Sequence, residues 1–488
     1  MAMDDAIVFF LDDRLCRIDG IDPNTTVLEW LRGDAGRRGT KEGCAEGDCG
    51  ACTIVVGTPD AAGGLSCHAV NACIQPIATL DGCEAFTVES LRDDTGALHP
   101  AQAAMVECHG SQCGFCTPGF VMSLYALLHD GTPAGDEPTR RALAGNLCRC
   151  TGYRPILEAA ARMRELPRTG RDFAAGIPAR RARLDALARA RGMRHQGGGR
   201  SWYAPRTLAE LDAALAVAPE AVFVAGATDL GLEITKTHRR FDALIHLGGI
   251  AELQGVRDAG SHLDIGAGVS WRNAHAALAA LWPAMDELIS RFAGLQIRNV
   301  ASIGGNLANA SPIGDGAPAL LALDATLDLW RAGRRRSVAL SDFFLGYRRT
   351  ALQPGEIVAR IRIPKPGAGT RFAAYKVAKR HDSDISAVCA CFAVELGADG
   401  RIAACRIAYG GMAAVPLRLH GVETLATGRT WDEALDEDMV EALAGAMDPI
   451  DDLRASAAYR RMVASGLWLR FAAEHRDAAP LSETRVHG

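Results

Sequence analysis

Hydrophobic and polar residues follow a strand-like pattern at the start of the chain. The apolar run Ile7–Leu11 and a second run at 15–18 flank the polar residues 12–14. Two apolar runs separated by a short polar stretch are typical of two strands joined by a tight turn. The pattern therefore predicts a β-hairpin as the first element.

The next segment changes to a helical pattern. Thr26 and Glu29 match a capping box, and an apolar face follows until Gly33, which is suited to end a helix. Further strand-like runs lie at 53–57 and 73–77. A hairpin, a helix, a glycine-rich loop and further strands are the layout of a small β-grasp domain, which we place at 1–86.

From His99 the hydrophobic residues recur with the period of a helix. Prolines stand where four helices are expected to start: Pro100, Pro118, Pro138 and Pro155. Proline favours the first turn of a helix, because its missing N–H has no intrahelical partner there. We therefore predict a domain of four short helices over 87–165.

The remaining chain shows three further patterns. Residues 166–195 are rich in arginine with interspersed proline, which is typical of a solvated linker lying on a neighbouring domain. An α+β domain is expected over 196–370. Strand-like runs at 372–378, 386–396 and 401–408, followed by helical sequence, predict a smaller α+β domain over 371–478, with a tail at 479–488.

Composition restricts the function classes. With 488 residues and a formal net charge of −5, the chain needs several cores and shows no basic surface suited to nucleic acid. We expect no membrane-spanning segment and no secretion signal, because the first apolar run is short and follows acidic residues. A cytoplasmic location is expected, and there fifteen cysteines are better explained by metal sites than by disulfides.

One cysteine set lies within the helical segment. Cys113 and Cys116 form a C-x2-C pair, and Cys148 and Cys150 form a C-x-C pair after one helical excursion. Each pair is followed by a predicted helix start, where free N–H groups stabilise an anionic centre. The spacing favours an iron-sulfur cluster, with structural zinc as the alternative.

A second cysteine set lies in the predicted β-grasp domain. Cys44, Cys49 and Cys52 have the C-x4-C-x2-C spacing of plant-type ferredoxins. Either Cys73 or Cys67 is available as the fourth ligand. This set predicts a second iron-sulfur site.

Two glycine-bearing loops are candidate phosphate sites. In the segment 223–233 an apolar strand runs into Gly226, so that backbone amides can approach a diphosphate. In the segment 302–315, Gly304, Gly305 and Asn306 can form an anion-binding nest, and Asp315 can accept a hydrogen bond from a hydroxyl of a cofactor. Gly-Gly pairs also occur in ordinary turns, and no G-x-G-x-x-G fingerprint is present, so a Rossmann nucleotide site is not indicated.

Together these motifs resemble the xanthine dehydrogenase family. The motifs that carry the resemblance are CAEGDCGAC, NAC, GSQCGFCTPGF and GNLCRCTGYRPI, followed by the two glycine loops in the order of the family. The resemblance extends to about residue 470. It implies a multidomain α+β protein: a β-grasp 2Fe-2S ferredoxin domain, a four-helix 2Fe-2S domain, a two-part FAD-binding domain of the vanillyl-alcohol-oxidase type, and an α+β C-terminal domain.

The resemblance also assigns roles to individual residues. It implies that Cys73, rather than Cys67, completes the ferredoxin-type ligand set, and that the helical-domain cysteines hold a second 2Fe-2S cluster. Val358 stands where the family pattern has leucine. The implied FAD contacts are Phe223, Val224, Ala225, Gly226, Ala227, Thr228, Asp229, Leu230, Phe292, Ser302, Ile303, Gly304, Gly305, Asn306, Asp315, Val358 and Lys376. In the loop 379–386, Asp382 and Asp384 lie where the family governs the flavin environment and access of NAD+.

The family pattern implies an electron-transfer role with no catalytic acid or base in this chain. The expected partner is a large subunit that binds the molybdenum cofactor, in a heterodimer that pairs into a dimer of heterodimers, with NAD+ as the electron acceptor and hypoxanthine or xanthine as the substrate of the complex. Two alternatives stay open. One is the equivalent subunit of a molybdenum hydroxylase acting on an aldehyde or another N-heterocycle, and the other is a stand-alone iron-sulfur flavoprotein reductase.

Overall fold

The structure is a computed structural model that describes residues 5–479 and Thr484. The chain forms two compact units. The first runs through Ala251 and also includes 293–301, and the second comprises 252–292 and the chain from Ser302 onward. The predicted α+β multidomain fold is confirmed.

The first unit begins with a β-grasp sheet. Its strand order is β2-β1-β5-β3-β4, with β1 parallel to β5. The helix Val27–Arg32 packs on it, and the capping box of Thr26 and Glu29 is present as predicted. The strands are β1 (Ile7–Leu11), β2 (Arg14–Ile18), β3 (Thr53–Pro59), β4 (Leu65–Asn71) and β5 (Glu84–Phe86).

One predicted strand of this domain is wrong. The segment 73–77 does not form a strand, and β4 lies just before it. Pro76 has no N–H to donate to a sheet ladder, and the 3-10 turn Ile77–Leu80 starts directly after it. The fourth cysteine of the ferredoxin-type set therefore lies in a turn rather than on a strand.

Four helices follow. Each has a proline among its first three residues, as predicted. Phe120, Leu124 and Tyr125 of the second helix are buried in one hydrophobic core together with Val55 and Phe86 of the β-grasp sheet. The two cysteine-bearing domains therefore share a core. The helices are Pro100–Glu107, Thr117–His129, Asp136–Leu143 and Arg154–Arg162.

The predicted linker is an ordered strap. It contains the helix Ile177–Leu187, and Arg180 of this helix is buried. The Arg180 guanidinium lies 2.8 Å from a Glu84 carboxylate oxygen and over the rings of Phe86 and Phe173. A buried carboxylate requires a cation beside it, and Arg180 supplies that cation to Glu84. The strap therefore lies on the β-grasp domain, as predicted, but it is not a fully solvated connector.

Two buried histidines make this unit sensitive to acid. Burial lowers the pKa of His99 to about 3 and the pKa of His129 to about 4. Unfolded imidazoles take up a proton near pH 6.5, so between that pH and the lowered pKa values the unfolded state binds more protons than the folded state. The free energy of unfolding should therefore fall by about 1.4 kcal/mol per histidine for each pH unit below 6.5.

The variant His99→Asn tests this dependence. Nδ1 of His99 accepts from the amide of Ala101 at 3.1 Å, and asparagine preserves such a helix cap while removing the titrating ring. We expect the decrease in the thermal midpoint between about pH 7.5 and 5.5 to be smaller in this variant. His238→Asn is the matched control, because His238 is exposed at a positive φ that asparagine tolerates. Equal pH profiles for wild type and His99→Asn would contradict the assignment.

The first unit ends with a small four-stranded sheet of order β6-β7-β9-β8. Strands β7, β9 and β8 run parallel, while β6 pairs antiparallel with β7. The helices Leu208–Val217 and Leu230–Lys236 and the single helical turn Leu295–Arg298 belong to the same unit. The strands are β6 (Met193–Gly197), β7 (Arg200–Ala204), β8 (Val222–Val224) and β9 (Ala243–His246).

The second unit starts with a five-stranded sheet of order β10-β11-β16-β12-β13 and a hairpin of β14 and β15. Its strands are β10 (Val256–Asp258), β11 (His262–Gly266), β12 (Thr326–Arg331), β13 (Arg334–Ala339), β14 (Phe344–Gly346), β15 (Arg349–Thr350) and β16 (Ile357–Pro364). Its helices are Trp271–Leu281, Ala284–Ser290, Ile303–Ala308 and Gly316–Ala322.

The C-terminal part of the second unit is an antiparallel sheet covered by helices around one hydrophobic core. The three predicted strands are confirmed with boundaries shifted by one or two residues. The strands are β17 (Thr370–Val377), β18 (Val388–Leu396), β19 (Ile402–Gly410) and β20 (Leu417–Arg418), and the helices are His420–Ala426, Glu433–Gly445 and Ala457–His475.

None of the helices in the described part of the chain combines the length and the apolar character needed to cross a membrane. The predicted tail, 479–488, lies outside the described residues except for Ala479 and Thr484.

Candidate functional site

The four thiols of the ferredoxin-type set lie together in the first unit. Cys44 is within hydrogen-bonding reach of Cys49 and Cys73, and Cys73 also contacts Cys52. Cys52 and Cys73 are buried, whereas Cys44 and Cys49 are partly exposed. A loop and a turn that are 21 residues apart in sequence, at Cys52 and Cys73, thus bring their sulfur atoms into one group.

Backbone amides of the loop point at these sulfur atoms. The amide of Cys49 donates to the Cys44 sulfur at 3.3 Å, and the amides of Cys44 and Glu46 lie 3.4 and 3.5 Å from the sulfurs of Cys49 and Cys44. Hydrogen bonds from the thiols of Cys49 and Cys73 lower the pKa of Cys44, and the same contacts raise the pKa of Cys49 and of Cys73. The loop is therefore built to hold anionic sulfur, as a thiolate-ligated cluster requires.

Cys67 lies elsewhere. Its side chain is buried in the core that the β-grasp domain shares with the four helices, and burial raises its pKa. Cys73 and Cys52 belong to the other core of the unit. The structure thus groups Cys73, and not Cys67, with the three cysteines of the loop.

The helical-domain cysteines form two contacting pairs. Cys113 lies within hydrogen-bonding reach of Cys150, and Cys116 within reach of Cys148. The Thr151 hydroxyl is 3.1 Å from the Cys148 sulfur, and the amide of Thr151 donates to the same sulfur at 3.5 Å. Burial and the contact with Cys148 raise the pKa of Cys116 to about 12.

The sulfur contacts connect all four thiols of the ferredoxin-type set and form two pairs in the helical-domain set. Among the described residues, no three or more His, Cys, Asp or Glu side chains surround a common point as ligands of a single metal ion do. The contacts join Cys44 with both Cys49 and Cys73, Cys73 with Cys52, Cys113 with Cys150, and Cys116 with Cys148. Four neighbouring thiols in each set suit a 2Fe-2S cluster, which takes four cysteine ligands across its two iron atoms.

The two cysteine loops touch through their backbones. The amide of Leu147 donates to the carbonyl of Cys49 at 3.0 Å. A Cβ atom on Gly50 would lie 2.2 Å from the carbonyl oxygen of Gly145, and Gly50 also has a φ of +68°, so only glycine fits there. The two proposed metal sites are therefore neighbours within one rigid core.

A buried amide that the sequence analysis missed holds this contact. Nε2 of Gln296 donates to Asn146 at 2.9 Å, Thr53 at 3.1 Å and Ser123 at 3.2 Å. Gln296 is 1% exposed. In the sequence, Gln296 is visible only as a polar residue inside the apolar segment GLQI. That signal is not specific enough to predict a contact between the two cysteine loops.

The first predicted flavin loop lies in the first unit. Phe223 and Val224 end β8, Ala227 has a positive φ of 57°, and Leu230 opens a helix. A Cβ atom on Gly226 would lie 1.9 Å from the carbonyl oxygen of Val300. The backbone at Val300 is therefore too close to Gly226 to leave room for any side chain there. The loop presents small residues and backbone, which fits a diphosphate group.

The second predicted loop lies in the second unit and differs from the prediction. Ser302 caps the helix Ile303–Ala308 by accepting from the amide of Gly305 at 3.1 Å. The predicted nest at Gly304, Gly305 and Asn306 is wrong, because these residues continue as helix with no left-handed residue. Oδ1 of Asn306 is buried without a hydrogen-bond partner in the described structure, which fits a polar group of a cofactor.

Asp315 and Lys376 form a buried ion pair in the second unit. The Lys376 ammonium lies 2.6 Å from one Asp315 oxygen and donates to the carbonyl of Arg291 at 3.1 Å. The Ser386 hydroxyl donates to the other Asp315 oxygen at 2.5 Å. Both carboxylate oxygens of Asp315 therefore have protein partners. A cofactor hydroxyl that donates to Asp315, as predicted, would share these oxygens with Lys376 and Ser386.

The other predicted flavin residues of the second unit have core contacts. The ring of Phe292 packs 5.3 Å from the ring of Trp271, and Val358 is buried in β16 opposite Leu329. In the loop 379–386, Asp384 accepts from the amide of Arg380 at 2.8 Å, and Asp382 lies 3.2 Å from His381. These contacts fix the conformation of the loop.

Comparison with known protein families gives three matches. Residues 87–161 match the 2Fe-2S binding domain, residues 194–366 match the FAD binding domain in molybdopterin dehydrogenase, and residues 373–475 match the CO dehydrogenase flavoprotein C-terminal domain. The order of the matches is the order of the domains predicted from the sequence.

Comparison with individual proteins decides the family. Over 96% of its length the chain is 34% identical to a xanthine dehydrogenase of Emericella nidulans, and over 91% it is 32% identical to the xanthine dehydrogenase/oxidase of Gallus gallus. The chain is an FAD and 2Fe-2S protein of the xanthine dehydrogenase type. It spans 38% of the length of each of these two relatives.

Solved structures of other proteins of this type also align with the chain. Carbon monoxide dehydrogenase of Hydrogenophaga pseudoflava aligns with a TM-score of 0.54 and 26% identity over 57% of this chain and 98% of its own. Quinoline 2-oxidoreductase of Pseudomonas putida 86 aligns with a TM-score of 0.51 and 25% identity over 57% of this chain and 96% of its own. The resemblance found in the sequence is confirmed, and the relatives act on different substrates.

Proposed function

We propose that this chain is the electron-transfer subunit of a xanthine dehydrogenase. When bound, two 2Fe-2S clusters and FAD would pass electrons from a molybdenum cofactor in a partner subunit to NAD+ during oxidation of hypoxanthine and xanthine to urate. The chain itself supplies position and electrostatic environment, not acid-base chemistry. The partner would be a large subunit, in a heterodimer that pairs with a second copy, and the setting is the cytoplasm, where thiols stay reduced.

The observation that carries the proposal is the placement of eight thiols in two adjacent groups. Cys44, Cys49, Cys52 and Cys73 would hold one cluster, and Cys113, Cys116, Cys148 and Cys150 the other. The backbone contact between Leu147 and Cys49 keeps the groups at a fixed separation. A fixed, short separation is what transfer between two one-electron carriers requires.

The proposed FAD contacts fall into two sets. Residues 223–230 offer backbone and small side chains to a diphosphate, and Gly226 admits no side chain. The second set lies in the second unit and comprises residues 302–306 with Phe292, Asp315, Val358 and Lys376. The Lys376 ammonium and the unpartnered Asn306 oxygen are the polar groups there that suit a flavin.

Purification of the chain at native expression level tests the proposal. We expect a large subunit containing molybdenum to co-elute, and the complex to reduce NAD+ when given xanthine. A chain that purifies alone and oxidises NADH would instead support the stand-alone reductase. A colourless chain that contains zinc would support the structural-metal alternative.

A second candidate function follows from the structural relatives. The alignment of quinoline 2-oxidoreductase with this chain supports a partner whose substrate is an N-heterocycle other than xanthine, and an aldehyde is the other alternative that the sequence leaves open. A panel of purines, aldehydes and N-heterocycles given to the purified complex distinguishes the two. Turnover of hypoxanthine and xanthine above the rest supports the first candidate.

A further inference from the structure

One short helix of the first unit links a predicted flavin loop to a predicted cluster loop. The helix Leu230–Lys236 starts at the end of the loop 223–230. A Cβ atom on Gly231 would lie 2.5 Å from the carbonyl oxygen of Ile74, so the helix packs directly on the chain next to Cys73. Its last turn lies on the loop that carries Cys44.

The last two residues of this helix bond to the cysteine loop. The Thr235 hydroxyl donates to the carbonyl of Ala45 at 2.6 Å. The Lys236 ammonium donates to the carbonyl of Cys44 and lies 3.4 Å from a carboxylate oxygen of Glu46. The Lys236 cation is thus held at the backbone of a residue whose sulfur is a proposed ligand.

The charges around this loop act on a cluster in opposite directions. The loop carries the carboxylates of Glu42, Glu46 and Asp48. A 2Fe-2S cluster with four thiolates gains one negative charge on reduction, so nearby carboxylates disfavour the reduced form and a nearby cation favours it. Lys236 is the cation whose hydrogen bond reaches the ligand residue itself.

We propose that Lys236 raises the reduction potential of the cluster held by Cys44, Cys49, Cys52 and Cys73, and that Glu46 opposes it. The proposal rests on the proposed function, because it requires a cluster at these four cysteines. Lys236 acts through the cluster's electrostatic environment and is a positioning and tuning residue, not a ligand. Because the Lys236 and Glu46 side chains are 42% and 41% exposed, dissolved salt should weaken their effect.

A redox titration of the complete protein, followed by electron paramagnetic resonance, tests this. We expect Lys236→Met to shift the midpoint potential of the ferredoxin-type cluster to a more negative value, and Glu46→Gln to shift it to a more positive value. Lys236→Arg should keep the wild-type value. The helical-domain cluster, whose cysteines these residues do not contact, serves as the internal reference.

The variant Thr235→Val distinguishes the effect of the Lys236 charge from the effect of the hydrogen bond that holds the helix to the cysteine loop. It removes the hydrogen bond to Ala45 at nearly constant volume and leaves the charge of the loop unchanged. We expect a smaller shift than for Lys236→Met, and a Lys236→Met shift that shrinks at high salt. Equal shifts for Thr235→Val and Lys236→Met that do not depend on salt would overturn the proposal, as would an unchanged potential in Lys236→Met.

Failure of the underlying function has a different signature. If the four cysteines hold no cluster, the wild-type protein itself gives one iron-sulfur signal and no ferredoxin-type midpoint to compare. If the cluster is present but Lys236 does not tune it, the wild type gives two signals and the variants match it.

Discussion

Cys148→Ser is expected to remove one of two iron-sulfur clusters and with it all electron delivery from the partner subunit. The Cys148 sulfur contacts Cys116 and accepts from Thr151, so it belongs to the helical-domain set. The variant should lose about half of its iron, because each 2Fe-2S cluster depends on its four cysteines. Reduction of NAD+ by xanthine should fall to background.

The same variant should keep the reactions that start at the flavin. Oxidation of NADH with an artificial dye needs FAD but not the helical-domain cluster, so it should stay near the wild-type rate. Cys108→Ser is the matched control, because Cys108 packs in the same domain but belongs to neither thiol set. Equal loss of both reactions in a folded Cys148→Ser protein that retains FAD would contradict the proposed order of carriers.

Lys376→Met is expected to destabilise the second unit and to lower its flavin content. The Lys376 and Asp315 side chains are 2% and 7% exposed, so the variant would leave the Asp315 carboxylate buried with the Ser386 hydroxyl as its remaining side-chain partner in the described structure. Breaking a buried ion pair by removing one partner costs about 3–5 kcal/mol. We expect a lower thermal midpoint and loss of FAD while iron is retained, because all eight proposed ligands lie in the first unit.

Two further variants define the cause of that loss. Lys365→Met is the control, since Lys365 forms an ion pair with the exposed Asp258 at 2.7 Å and should cost little. Adding Asp315→Asn to Lys376→Met removes the unpaired charge, so the thermal midpoint should recover partly. If Lys376→Met keeps both its thermal midpoint and its FAD, Lys376 is neither a structural pair nor a flavin contact.

The sequence predicted most of the fold because its strongest signals are local. The capping box of Thr26 and Glu29, the prolines at helix starts and the three strands of the C-terminal domain depend on neighbours within a few residues. The cysteine spacings were equally informative, since the grouping of Cys44, Cys49 and Cys52 follows from loop geometry. The fourth position, Cys73, needed the family pattern.

The predictions that failed depend on contacts between distant segments. The segment at 73–77 has the apolar content of a strand but lacks an amide at Pro76, and it packs below the cysteine loop instead. The residues 304–306 were predicted as a nest, but Ser302 supplies a cap that extends a helix through them. Both errors arise where a local pattern suits two conformations and packing selects one.

Buried polar contacts between distant segments were the least predictable feature. Arg180 lies in a sequence that resembles a solvated linker, yet it is paired with buried Glu84. Gln296 lies in the segment 293–301, which belongs to the first unit although the chain on both sides belongs to the second. Such contacts bring together residues more than 90 positions apart, so no periodicity in the sequence reveals them.

The most direct test of the central claim is the cofactor content of the protein purified under anaerobic conditions. If the eight cysteines hold two separate clusters beside a bound flavin, each chain contains about four iron atoms and about one FAD. Its electron paramagnetic resonance spectrum then shows two reduced 2Fe-2S signals with different midpoint potentials. A chain with zinc in place of iron, or with about two iron atoms and one signal, would contradict the account.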